Sequence, residues 1–293
     1  MSCEMEKMEF YLVTTAHLAD GLWFRDDEDF RAGMNTVAVI AYLTGIRVLA
    51  FILMSNHVHF VLCGTREQVA MFANEYKRHH SAYLQIKYGC KEFLRRNDVD
   101  IKKVCREDES FERAIAYVQM NSVAANICLH PTGYRWGTGN SFFKETNVQG
   151  QALGSMSIRA QKRLLRSHIM LPQDYLTADG YVLTESYVQV QFVESVFRSP
   201  ARLNYFLVNS SKAKRKLESE SASLPVFRDQ SILAAVPDLC YSLFRQSDLM
   251  ELKWEQQAEV IKQIKRRFGS DIHQIARVTG VPYAEAAKML DSF

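Results

Sequence analysis

His57 and His59 stand two apart in the run Met54-Ser55-Asn56-His57-Val58-His59-Phe60. On an extended strand this spacing sends both imidazoles to one face and Val58 and Phe60 to the other. Two imidazoles fixed on one rigid face can share a divalent cation through ring nitrogens, each ring oriented by a group behind it. A pair of partly exposed hairpin histidines satisfies the same pattern, so the spacing alone leaves both readings open. Tyr117 and Asn121 form a second pair, at i and i+4 on the flank of a helix whose stripe is Phe111, Ala114, Ile115, Val118 and Ala125. A phenol is a potential nucleophile, and a carboxamide oxygen is a hard donor suited to Mg²⁺ or Mn²⁺. The structural alternative is a core-edge tyrosine whose hydroxyl has found a partner.

The elements that must position these residues are legible from periodicity. Phe10 to Thr15 is apolar and β-branched, the pattern of a strand. A helix follows from Asp26 to Thr44, opened by four acids that suit its positive end and closed by Gly45. Ile46 to Leu53 is a continuous apolar run of strand length, expected to be covered on both faces. Ser55-Asn56 then turns the chain into a strand from His57 to Cys63. Gln68 to Tyr88 reads as a second helix ending at Gly89, Val99 to Val104 as a further strand, and Phe111 to Ile127 as a third helix. This order predicts an α+β sandwich, an antiparallel sheet backed by helices.

Past about Lys144 the chain turns polar and glycine-rich to Ser157, the composition of a linker. The expected division is residues 1–145 and a mainly helical region 146–293. Ser210 to Ser223 is a solvated helix or a loop, rich in Ser, Lys and Glu. Three closing helices are expected at Trp254–Phe268, Asp271–Thr279 and Pro282–Leu290, punctuated by Gly269 and Gly280. Residues 254–290 could form a helix-turn-helix; a plain three-helix bundle fits equally.

With 47% hydrophobic and 24% charged residues, the chain is not globally disordered. Six dispersed cysteines (Cys3, Cys63, Cys90, Cys105, Cys128, Cys240) form no Cys-x-x-Cys pair, which argues against a zinc knuckle or disulfide framework. No apolar run approaches the ~20 residues of a membrane span, and the acidic start is no signal peptide, so a cytoplasmic location is expected. Residues 1–145 carry 17 basic against 18 acidic side chains, and the remainder 19 against 15. Any grip on nucleic acid must therefore be local.

Taken together, the two pairs resemble the single-tyrosine HUH transposases, in particular the REP-associated tyrosine transposases and their insertion-sequence relatives. The resemblance rests on Met54-Ser55-Asn56-His57-Val58-His59 followed by Phe60-Val61-Leu62, and on the helix Tyr117-Val118-Gln119-Met120-Asn121-Ser122-Val123-Ala124-Ala125. It extends to Pro131 with Tyr134-Arg135-Trp136-Gly137, and to Asp26–Asp29 and Gly45-Ile46-Arg47-Val48-Leu49-Ala50, covering about residues 9–143. Ser55 and Ser122 stand where the family has prolines, which should loosen the turn and the helix. The family's Gly-x-x-Trp-Gln-like stretch is not recognisable around Gly89 to Arg96.

The resemblance implies a ferredoxin-like core that cuts and rejoins single-stranded or hairpin DNA in the cytoplasm, at the nucleoid, as a homodimer. It implies Tyr117 as nucleophile, forming a 5′-phosphotyrosine, and His57, His59 and Asn121 as ligands of Mg²⁺ or Mn²⁺. Since tyrosine ionises near ~10 in isolation, such a nucleophile needs help. The competing reading is a domesticated, non-catalytic nucleic-acid-binding regulator on the same sheet. Lys77 and Arg78 on the second helix, Arg135, and Lys265, Arg266 and Arg267 are candidate DNA contacts. His79 and His80 diverge around their helix and make a poor metal pair.

Overall fold

The computed structural model describes residues 9–16, 22–89, 97–144, 149–210, 229–270 and 272–292. Most of the Ser210–Ser223 stretch, most of the Gly89–Arg96 stretch, part of the expected linker, Asp271, Cys3 and Cys90 lie outside them.

The first half runs β1 (Glu9–Thr15), α1 (Asp27–Thr44), β2 (Arg47–Met54), β3 (His57–Gly64), α2 (Arg66–Tyr88) and β4 (Val99–Val104). The four strands form one antiparallel sheet in the order β2-β3-β1-β4. The chain is thus α+β, as its alternating patterns predict. Local signals set the ends of the two helices. Asp26 caps α1 by accepting from the Asp29 N–H at 2.9 Å, and Gly45 ends it in the left-handed region at φ 64°. Thr65 and Gln68 form a capping box that starts α2 two residues earlier than the apolar pattern suggests, and Gly89 closes it at φ 70°.

α1 and α2 pack together on one face of the sheet, where Phe60 meets Phe72 and Tyr76. The other face is covered by α3 (Ser110–Gln119), whose Phe111 packs edge-on to Phe10, with ring centroids 5.2 Å apart. With helices on both faces, every residue of β3 is buried. The third helix is shorter than its apolar stripe predicts. It breaks at Met120 and resumes as the single turn α4 (Asn121–Ala124). Asn121 Nδ2 donates to the carbonyls of Tyr117 at 2.7 Å and Val118 at 3.2 Å, so a side chain takes acceptors that a continuous helix would give to backbone N–H groups.

The apolar core does not end at residue 145. It continues through Leu153, Val182, Val193 and Leu207, so the segment after the expected linker packs on the sheet unit. That segment holds a small sheet of β5 (Gln151–Ala152), β6 (Leu176–Ala178) and β7 (Tyr181–Val182), with α5 (Ile158–Leu165) between its first two strands. Asn35 on α1 anchors it: its Nδ2 donates to the carbonyls of Leu164 and Gly180, and its Oδ1 accepts from the Val182 N–H. α6 (Val190–Phe197) and α7 (Pro200–Val208) complete the α3 face.

A second core gathers α8 (Asp229–Phe244), α9 (Trp254–Phe268), α10 (Ile272–Thr279) and α11 (Tyr283–Asp291) around Leu239, Ile261, Ile264 and Phe268. The three closing helices thus have nearly the expected bounds, with Pro282 at the N-cap of α11. Among the described residues no helix is long and apolar enough to cross a membrane.

Candidate active site

The β2–β3 turn and α3 bring three of the four singled-out side chains together. His57 lies opposite Met54 and His59 opposite Ile52 on β2, while on its other side His59 pairs with Thr14 of β1. The two imidazoles stand edge-to-face, centroids 4.8 Å apart, and the Tyr117 ring stands edge-to-face on His59 at 5.3 Å. His57, His59 and Asn121 are 3%, 0% and 3% exposed, whereas Tyr117 is half-buried. Of the four, Tyr117 is thus the side chain most open to solvent.

The residue types behind each ring set its chemistry. His57 Nδ1 lies 2.7 Å from Asn56 Oδ1. A carboxamide oxygen has no proton to give, so Nδ1 carries the hydrogen, and in the neutral ring the lone pair sits on Nε2. His59 Nδ1 lies 3.0 Å from Thr14 Oγ1, a hydroxyl that can act in either sense. Both rings are thus oriented through Nδ1, the arrangement of histidines that ligate through the far nitrogen. Asn121 is committed through Nδ2 to its own helix, so Oδ1 is the atom it can offer a cation.

The donor set fits a hard or borderline divalent ion only in part. Among the described residues no group of three or more His, Cys, Asp or Glu side chains converges as a metal site would require. Two imidazoles could supply two ligands, and carboxamide, solvent or substrate oxygens would have to supply the rest.

The hairpin is held in place by groups that the spacing of the two histidines does not reveal. Thr15 Oγ1 accepts from the Val58 N–H at 2.9 Å, and the Ser55 carbonyl accepts from the N–H groups of Trp23 and Phe24. Ser55, where the resemblance predicts a looser turn, is tied to the C-terminal helices. Its hydroxyl donates to the Arg267 carbonyl at 2.7 Å, a bond proline could not make. Asn56 had a signal in the sequence, being adjacent to His57. Thr14 had only its place on the neighbouring strand.

The basic candidates separate. The Lys77 ammonium donates to the Asn97 carbonyl, and Arg78 is exposed but paired with Glu75. Arg135 is paired with Asp179 at 3.3 Å and lies over the Trp136 ring. Lys265 and Arg266 face solvent. Arg267, expected on the same basic face, is instead buried at 5% exposure. It pairs with Asp27, and its Nε donates to Gln263 Oε1 at 3.2 Å, because the last turn of α9 packs against the start of α1. His80 is also interior: its Nε2–H donates to the Trp23 carbonyl at 2.7 Å, and burial lowers its pKa to about 4.

A cavity of about 700 Å³ is lined by Lys103, Arg106, Glu112 and Arg202 among others, and by none of the candidate site residues. Comparison of the chain with protein-family models, with curated proteins and with solved structures finds no match.

Proposed function

We propose that the protein is a single-strand DNA transposase of the single-tyrosine HUH type, with Tyr117 as its nucleophile. The observation that carries the reading is the run of ring contacts His57–His59–Tyr117, which joins two segments that only the resemblance related. The β-α-β-β-α-β order with its β2-β3-β1-β4 sheet supports a ferredoxin-like core for such an enzyme.

In this reading His57 and His59 would hold Mg²⁺ or Mn²⁺, with Asn121 as the third protein ligand that the resemblance implies. When bound, the ion supplies Lewis-acid polarisation of a non-bridging phosphate oxygen. Phe111, Ile115 and Val118, all fully buried, fix α3 against the sheet, so the Tyr117 ring is aimed by a rigid element. Its half-exposed position lets a single strand reach the phenol. The Tyr117 oxygen bonds to phosphorus as the bond to the 3′-oxygen breaks. The phenol proton leaves to solvent, and the departing 3′-oxygen takes one up. One ester replaces another, so a second 3′-hydroxyl can reverse the step and join strands. Hairpin DNA and a homodimer belong to the same proposal.

The near-complete burial of both imidazoles favours a second reading, a non-catalytic nucleic-acid-binding regulator in which they are packing residues. Incubation with single-stranded hairpin oligonucleotides and Mn²⁺ separates the two. The transposase reading expects a covalent adduct that survives denaturing electrophoresis and disappears in Tyr117→Phe. Equal, negligible adduct from both proteins across hairpin substrates would leave the regulator.

A further inference from the structure

We propose that the cavity where α9 meets the start of α1 and the Tyr134–Trp136 loop is a nucleotide pocket, holding one phosphate and one base of a single DNA strand. The proposal rests on the transposase reading for its choice of DNA, and on the cavity's own geometry for the rest.

The cavity measures about 430 Å³ and is lined from three separate segments, by Asp27 and Phe30, by Tyr134, Arg135 and Trp136, and by Gln263, Arg266 and Arg267. Its size lies within the roughly 300–1,000 Å³ of small-ligand sites and exceeds what a lone phosphate needs. Three arginines border it against one lining carboxylate, Asp27, which Arg267 already pairs. Arg135 is shared with Asp179 outside the lining, and Arg266 is exposed with no ion pair among the described residues.

Two observations point to a ligand. The first is Arg267 Nη1, which is buried without a hydrogen-bond partner although the side chain is only 5% exposed. An uncompensated guanidinium N–H is costly in the interior, and a phosphate oxygen drawn into the cavity would meet it beside Arg266. The second is the aromatic stack. Phe30 and Trp136 lie nearly parallel with centroids 5.0 Å apart, and the Arg135 guanidinium covers Trp136 at 4.5 Å. A base can continue such a stack on the guanidinium plane, the recognition mode of unpaired nucleotides.

The pocket also abuts the strand that carries the catalytic hairpin. The Tyr134 hydroxyl donates to the Leu53 carbonyl at 2.7 Å, and the Trp136 carbonyl accepts from the Leu53 N–H at 2.9 Å. Leu53 pairs across the sheet with Val58, between the two histidines. A strand seated in the pocket is therefore held against the neighbouring β-strand of the histidine pair, with the C-terminal helices forming one wall.

The test uses the full chain carrying Tyr117→Phe, so that no covalent step contributes. Thymidine 5′-monophosphate, thymidine and inorganic phosphate are titrated by calorimetry, and a fluorescent single-stranded hairpin by anisotropy. The nucleotide should bind saturably and more tightly than either fragment. Arg266→Ala and Arg135→Ala, both at exposed positions, should each weaken the oligonucleotide about tenfold, as expected for loss of a charged contact. Each should also lower the slope of log affinity against log salt by about 0.7. Arg267→Gln could unfold the junction, so it is read only beside circular dichroism. Unchanged affinity and salt slope in the folded Arg266 and Arg135 variants would overturn the pocket, as would equal binding of inorganic phosphate and nucleotide. A ribo-oligonucleotide of the same hairpin sequence is titrated alongside, and its tighter binding would overturn the DNA assignment. Adduct formation by the Tyr117-intact protein is scored separately, so chemistry can fail while the pocket stands, and the reverse.

Discussion

Asn56 Oδ1 accepts the hydrogen of His57 Nδ1 across 2.7 Å, and so decides which nitrogen of that ring carries the lone pair. Asn56→Ala removes this control. The variant should fold, since the hairpin keeps its strand pairing, yet bind Mn²⁺ about 10- to 100-fold more weakly, the usual effect of losing a partner behind a metal-bound histidine. Calorimetry with Mn²⁺ on wild type, Asn56→Ala, His57→Ala and His59→Ala makes the check. Identical affinity across the four proteins would remove the imidazoles as ligands.

Lys87 closes a buried ionic cluster at the start of α1. Its ammonium lies 2.6 Å from Asp26 and 2.8 Å from Asp29, and Tyr83 and Tyr88 donate to Asp29. Burial works against the Asp29 carboxylate, but Lys87 and these hydrogen bonds outweigh it and lower its pKa. Lys87→Met leaves two carboxylates inside without a cation, so it should cost about 3–5 kcal/mol, the range for breaking a buried pair from one side. Chemical denaturation measures it. A loss below about 1 kcal/mol would mean that the cluster behaves like a surface pair.

His80 gives the fold a dependence on acidity. Its folded pKa of about 4 lies below the unfolded value near 6.5, so the unfolded chain binds the proton more readily. The stability held by the neutral ring is present above about pH 6.5 and drains as pH falls toward 4, by roughly 3 kcal/mol in all. Urea midpoints between pH 7 and pH 4.5 should fall more steeply for wild type than for His80→Gln. Parallel curves would show that the Trp23–His80 contact does not govern this range.

The parts of the fold written in local chemistry were legible in the sequence. Gly45 and Gly89 end helices where the apolar stripes stop, and the β2–β3 hairpin follows from two apolar runs flanking Ser55-Asn56. What depended on distant partners was not. Asn35 reads as an ordinary polar residue on α1 until Leu164, Gly180 and Val182 arrive beside it, so the core's continuation past residue 145 leaves no mark in the local pattern. Arg267 sits in a run with Lys265 and Arg266 that looks uniformly solvated, and only Asp27, far away in sequence, explains why one of the three turns inward. The break at Met120 was hidden because Asn121 competes with the backbone through its side chain, which an apolar stripe does not register. The histidine and tyrosine segments were each visible, whereas their contact required the sheet between them.

The Ser55 hydroxyl on the Arg267 carbonyl turns the far end of the chain into a brace for the histidine hairpin. Clipping off the C-terminal helices would strip that hydroxyl of its acceptor and Asp27 of its guanidinium at the same moment. A shortened protein that failed on DNA would then report a slackened hairpin as readily as a missing reading head. Single side-chain replacements at the tail's surface are the cleaner instrument for asking what that tail touches.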